Sequence, residues 1–243
     1  MGALAAGFWG FVGGASLLLG AFVGIYAGAS RRTIATVMAL GAGVLISSVA
    51  FELMDEAYQM GGFDASALGL LLGAVAFFFA DMAVSRKGGA RRKNPEDKQG
   101  DSASAIAIGA LMDGIPESAA IGISLLQGGK ISAALVAAVF LSNIPEGLSS
   151  ASWMKQAGRP TSYIFGLWGG VTFASALAAL LGYFFLASAS EDAVAAIQAF
   201  AAGAILTMLA STMMPEAYEG GGPVVGLVTA VGFLLSFVLS HLA

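Results

Sequence analysis

The chain of 243 residues contains no cysteine, which excludes disulfides and every thiolate metal site. It contains one histidine, His241, three residues from the end, so imidazole clusters are excluded as well, and a lone terminal histidine reads as an interfacial side chain. Charge is equally scarce. Only 11% of residues are Asp, Glu, Lys or Arg against 58% hydrophobic, where soluble domains carry about 25% charged residues. With so little charge and a mean hydropathy of +0.84, a soluble globular domain is excluded.

What is present is long apolar runs of about 20 residues, the length an α-helix needs to cross ~30 Å of hydrocarbon, and not the short alternation of a membrane β-barrel. Charged and glycine-rich punctuation divides the chain into eight expected spans: 7–28, 33–55, 65–84, 103–126, 131–154, 161–187, 193–215 and 222–242. The predicted fold is an all-α integral membrane protein forming one transporter-like domain over residues 1–243. The end of the first span, "YAGAS", has the small residues of a signal-peptide cleavage site, but no positive residue precedes it.

With eight spans, the loops alternate between the two sides of the membrane. Arg31, Arg32, Arg86, Lys87, Arg91, Arg92, Lys93, Lys98, Lys155 and Arg159 fall on one side, and Lys130 alone on the other. The positive-inside rule makes the first side cytoplasmic and puts both termini outside. The loop 85–102, "SRKGGARRKNPEDKQGDS", has mixed charge and little apolar content, and reads as a flexible cytoplasmic linker and not a nucleic-acid site.

Two pairs of segments repeat. "GFWGFVGGASLL" (7–18) aligns with "GLWGGVTFASAL" (166–177), and "ALGAGVLISSVAFELMDEAYQMGG" (39–62) with "AFAAGAILTMLASTMMPEAYEGGG" (199–222), the latter with ten identities in 24 positions. Spans one to three thus correspond to spans six to eight. Since the first span enters from outside and the sixth from inside, the units are inverted, the arrangement found in secondary transporters. The expected architecture is 3+2+3.

The two central spans carry "LMDGIPESAAIG" (111–122) and "LSNIPEGLSSA" (141–151). Asp113 and Asn143 each lie ten to twelve residues into their spans, which at 1.5 Å per residue is ~15 Å deep, close to the bilayer centre. Asp113 and Glu117 share a helix face at i, i+4, as Asn143 and Glu146 do at i, i+3, with Ser142 beside them. Four oxygen side chains, three of them carboxylic, can converge between the helices.

A carboxylate at that depth costs about 2.5–3.5 kcal/mol on insertion scales, and no Lys or Arg lies within the spans to neutralise it. A cation or a proton must do so. Pro116 and Pro145 lack the N–H that would bond the Met112 and Leu141 carbonyls, which adds backbone oxygens to the set. Glu52, Asp55 and Glu56 at the outer end of span two, and Glu216 and Glu219 at the inner end of span seven, are candidate entry and exit carboxylates that would concentrate cations.

"DGIPES" and "NIPEGLSSA", in the fourth and fifth of eight spans, resemble the ZIP (Zrt/Irt-like) metal transporters, especially the GufA-like branch. In that family the fourth span typically reads His-Asn-x-Pro-Glu-Gly and the fifth His or Gln followed by Asn-x-Pro-Glu-Gly. The resemblance covers essentially the whole chain. It implies a metal site at Asp113, Glu117, Asn143 and Glu146, with Asp113 in the histidine place, Gly114 in the asparagine place and Ser142 in the His or Gln place. It also implies a homodimer, no resident cofactor, and inward movement of a divalent ion as one bundle (spans one, four, five and six) moves against the other.

The chain departs from the family pattern in having no fourth-span histidine, no carboxylate in span six and no histidine in the 85–102 loop. One metal per site is expected. All-oxygen ligation favours Mn²⁺, Fe²⁺ or Mg²⁺, while carboxylates also bind Zn²⁺ and Cd²⁺. Two other functions use the same carboxylates: an intramembrane metalloenzyme with Glu117 or Glu146 as general base, and a proton or monovalent-cation carrier.

Overall fold

A computed structural model describes residues 2–86, 102–126 and 131–242, with the side chains of 85–86, 102–107 and 242 outside that description. The predicted linker therefore lies largely outside the described residues, as does Lys130. The described chain is helical throughout, connected by short turns. Helix α1 covers Gly2–Tyr26, α2 Arg31–Ser48, α3 Asp55–Arg86, α4 Ser102–Ser124, α5 Ala133–Gln156, α6 Thr161–Leu186, α7 Glu191–Met208, α8 Met214–Gly221 and α9 Val224–Leu242.

The starts of the helices follow from their caps. Ser30, Ser132 and Ser190 stand in extended conformation and accept from the backbone N–H groups of Thr33, Leu135 and Ala193, which satisfies donors that each first turn leaves free.

Between α2 and α3 the chain makes a π-helical turn, Val49–Met54, and between α7 and α8 another, Leu209–Met213. Each is followed by a glycine at positive φ, Gly62 at 69° and Gly222 at 66°, where the helix direction breaks. These features fall at the positions that the repeat alignment pairs. The exposure of residues 51–60 also matches that of 211–220 class by class.

Packing follows the same pairing. α3 lies along α7 and α9 along α2, α5 lies along α1 and α2, and α4 along α6 and α7. A Cβ on Gly203 would overlap the Leu70 carbonyl and one on Gly73 that of Phe200; their counterparts Gly43 and Gly232 stand in the same relation to Thr229 and Leu40. Small residues bring these backbones together, as membrane helix pairs require.

The molecule is inside-out by soluble standards. Ser16, Ser47, Ser118, Thr172 and Gln198 are buried, while Phe8, Phe79, Phe173, Phe184, Leu227 and Leu239 are exposed. Among the described residues, six helical segments are long and apolar enough to cross a membrane: 2–26, 31–84, 133–156, 161–186, 191–221 and 224–241. The 54 residues of 31–84 contain two of the predicted spans, folded at Gly62. α4 has 23 residues, with side chains described from Ile108 onward. The exterior is that of an all-helical multi-pass membrane protein.

Candidate functional site

α4 and α5 run unbroken through Pro116 and Pro145. Both carry their polar residues inward: Asp113, Glu117, Ser142, Asn143 and Glu146 are all at least nine-tenths buried. Asn143 Nδ2 donates to the Gly13 carbonyl of α1 at 3.3 Å, and Ser142 Oγ to the Val139 carbonyl one turn back at 3.0 Å. Ser150 Oγ donates to the Glu146 carbonyl at 2.8 Å. Close glycine contacts fix the position of α5. Gly20 of α1 abuts the Ile144 carbonyl, Gly147 abuts that of Leu17, and Gly41 of α2 abuts the backbone at Ser142.

Among the described residues, no three Asp, Glu or His groups come together as a metal-holding set. α4 packs chiefly along α6 and α5 along α1, and the two motif helices touch each other over a short stretch.

Several polar groups near the motifs have no counterpart in the predicted set. Thr172 Oγ1 of α6 donates to the Gly14 carbonyl at 2.9 Å, and Ser16 donates to the Gly13 carbonyl. A Cβ on Gly114 would come 3.5 Å from Ser175 Oγ, so α6 brings a buried hydroxyl against the "DGIPES" motif. A sequence signal for it exists, because Ser16 and Ser175 are paired in the repeat.

The predicted entry residues separate into two kinds. Glu52, within the first π turn, accepts from Ser132 Oγ at 2.6 Å, which ties it to the start of α5. The wholly buried Gln198 of α7 donates to the Glu52 carbonyl at 3.1 Å, the Leu53 carbonyl at 3.3 Å and Glu56 Oε2 at 2.9 Å. Glu52 and Glu56 thus join one polar network, and Gln198 is its unpredicted centre. Asp55 is exposed and accepts from Gln59 at 2.7 Å. At the other end Glu219 meets Arg31 at 3.5 Å with both side chains about 70% exposed, a surface pair that contributes little. Glu216 is half-buried one turn before it.

A cleft of about 420 Å³ lies elsewhere, between α1 and α5, with an apolar lining that includes Trp9, Val12, Val136 and Phe140. It does not contain the motif carboxylates. Compared with models of known protein families and with curated proteins, the chain matches none.

Chemically, buried carboxylates between small-residue helices with hydroxyls, an amide and backbone carbonyls nearby make an oxygen-only environment. Between residues 103 and 154 the only basic residue is Lys130. Such an environment favours hard cations or protons over soft metals and anions.

Proposed function

We propose that the chain transports divalent metal ions inward across a cell membrane by alternating access, as its resemblance to the ZIP transporters implies. The observation that carries this reading is the burial of Asp113, Glu117, Asn143 and Glu146 on two proline-containing helices otherwise made of apolar and small residues. Carboxylates so placed are expensive unless they serve an ion path. In this reading eight crossings form a 3+2+3 arrangement with inverted repeats in helices one to three and six to eight. Both termini are extracytoplasmic, and two copies form the working unit. The matching π turns and the glycine breaks at Gly62 and Gly222 support the repeat.

Ligation by oxygen alone makes Mn²⁺ and Fe²⁺ the favoured cargo, with Zn²⁺ and Cd²⁺ also admitted. Glu52 and Glu56 stand as outer entry groups, with Glu216 and Glu219 at the inner mouth.

The test is uptake of Mn²⁺, Fe²⁺ and Zn²⁺ into proteoliposomes holding the purified full chain. Saturable divalent flux is expected, falling to the rate of protein-free vesicles in Glu117→Ala and in Glu146→Ala. Full flux in either variant refutes the site. Proton or sodium flux indifferent to divalent ions selects the monovalent carrier, and metal-dependent turnover of a substrate without flux selects the enzyme.

A further inference from the structure

Glu52 and Ser132 stand on opposite sides of the division that the proposed function draws. Glu52 lies in the π turn that ends span two, and Ser132 caps α5, the fifth span. Their 2.6 Å hydrogen bond therefore joins the two bundles expected to move against each other. A register sets its place in the fold. A Cβ on Gly41 of α2 would come 3.0 Å from Ser142 Cα, beside the motif. Eleven residues on from Gly41 is Glu52 and ten back from Ser142 is Ser132, the odd residue being the one a π turn inserts. The antiparallel seam between α2 and α5 thus runs from the motif to the Glu52–Ser132 bond. Along it Leu45, Val49 and Leu53 on one side, and Leu135, Ala138 and Val139 on the other, are buried in one apolar cluster. On the proposed sidedness this end is the outer mouth, and the seam behind it is packed shut.

The π turn is held from within its own bundle. Gln198 of α7 donates to the Glu52 and Leu53 carbonyls and to Glu56 Oε2, so the turn presents Glu52 to Ser132 in a fixed position. The repeat shows that this arrangement belongs to one end. It keeps the carboxylate of Glu56 in Glu216, but pairs Glu52 with Thr212, and the same offset places Met38 opposite Gln198. The Thr212 hydroxyl lies 3.4 Å from that of its neighbour Ser211, within its own turn.

We propose that the Glu52–Ser132 bond is the latch of the outer gate: it holds the α2–α5 seam closed, and every transport cycle breaks it. The inference rests on the alternating-access reading of the proposed function. With a carboxylate latch at one π turn and a threonine at the other, the fold favours the form closed to the outside. The apparent affinity for external cargo is then reduced by the fraction of molecules that are unlatched. Released from Ser132, the same carboxylate meets the entering ion, so cargo itself favours the open form. A hydroxyl bonded to a carboxylate is among the stronger hydrogen bonds, and its loss is expected to raise the unlatched fraction on the order of tenfold.

Ser132 also accepts from the Leu135 N–H as the cap of α5, and the test separates the two duties. Ser132→Gly removes the hydroxyl at little cost in capping, while Ser132→Asn keeps both the cap and an N–H donor for Glu52. The reporter is Ala138→Cys, a completely buried position on the seam in a chain with no other thiol. In the purified full chain in mixed micelles, the rate at which a water-soluble methanethiosulfonate modifies this cysteine is measured. It is expected to rise on the order of tenfold with Ser132→Gly or Glu52→Ala, and to keep its starting value with Ser132→Asn. Ser132→Gly is expected to add nothing in the Glu52→Ala background, where the latch has already lost its acceptor. In cells, Ser132→Gly is expected to lower the KM for external Mn²⁺ by about the same factor, which mere loss of folded protein would not do.

An unchanged modification rate in Ser132→Gly and Glu52→Ala overturns the latch. So does an equal rise in Ser132→Asn, a further full rise in the double variant, or an unchanged KM. The expected modification rates in a protein without saturable divalent flux keep the latch and overturn the metal-transport reading.

Discussion

At residue scale the decisive letter is Asp113. It lies in a helix where the resembling family has histidine, and Gly114 beside it removes the amide found there. A side chain at Gly114 would begin 3.5 Å from Ser175 Oγ, ordinary van der Waals contact, so a Cβ at this position does not force α4 from α6. Asp113→His with Gly114→Asn replaces hard oxygen by imidazole nitrogen, which suits Zn²⁺ better than Mn²⁺. The Zn²⁺ to Mn²⁺ uptake ratio in competition is expected to rise on the order of tenfold, the low end of what changes in a metal's surroundings produce. An unchanged ratio would mean that these positions do not set selectivity. The motif residues and their burial were legible from the sequence, because a carboxylate in the middle of an apolar run must turn inward, away from lipid. Gln198 was not, since an isolated glutamine in an apolar helix carries no periodic signal; only the fold brings it to Glu52 and Glu56.

At the scale of elements, the helices lie over the predicted apolar runs, except that the second and the seventh continue through their π turns to Gly62 and Gly221. Hydropathy finds spans because every residue in a run contributes, whereas a π turn inserts one backbone residue into an otherwise regular ladder and leaves no mark in composition. The glycines separate into three physical kinds, which predict three outcomes. Gly62→Ala meets no atom but forces φ of 69° with ψ of −168° on an L-residue, a cost of about 1–3 kcal/mol. Gly43→Ala drives a methyl into the Thr229 carbonyl and pushes α2 from α9, a cost of about 1–3 kcal/mol. Gly169→Ala meets open space at ordinary helical geometry and should change stability by no more than about 0.5 kcal/mol. Reversible unfolding in mixed micelles ranks them, and equal losses at all three would show that the close approaches carry no energetic weight.

At the scale of the whole molecule, the proposed sidedness rests on the distribution of ten basic residues against one. Arginine and lysine near short loops are retained on the cytoplasmic side during insertion whatever the helices later do. The fold supplies exposed positions at which to check it. Ala27 and Ala157 lie in exposed turns beside Arg31, Arg32 and Arg159, while Ser188 lies in the exposed turn between α6 and α7, one full crossing away along the 26 residues of α6. Since the chain has no cysteine, each single substitution gives one thiol with no background. In intact cells a membrane-impermeant maleimide is expected to label Ser188→Cys at once, and Ala27→Cys and Ala157→Cys only after permeabilisation. Because α1 and α6 each cross once, labelling of Ala27 and Ala157 from the same side requires four further crossings, or another even number, between them. Opposite labelling of those two would break the inversion of the repeats.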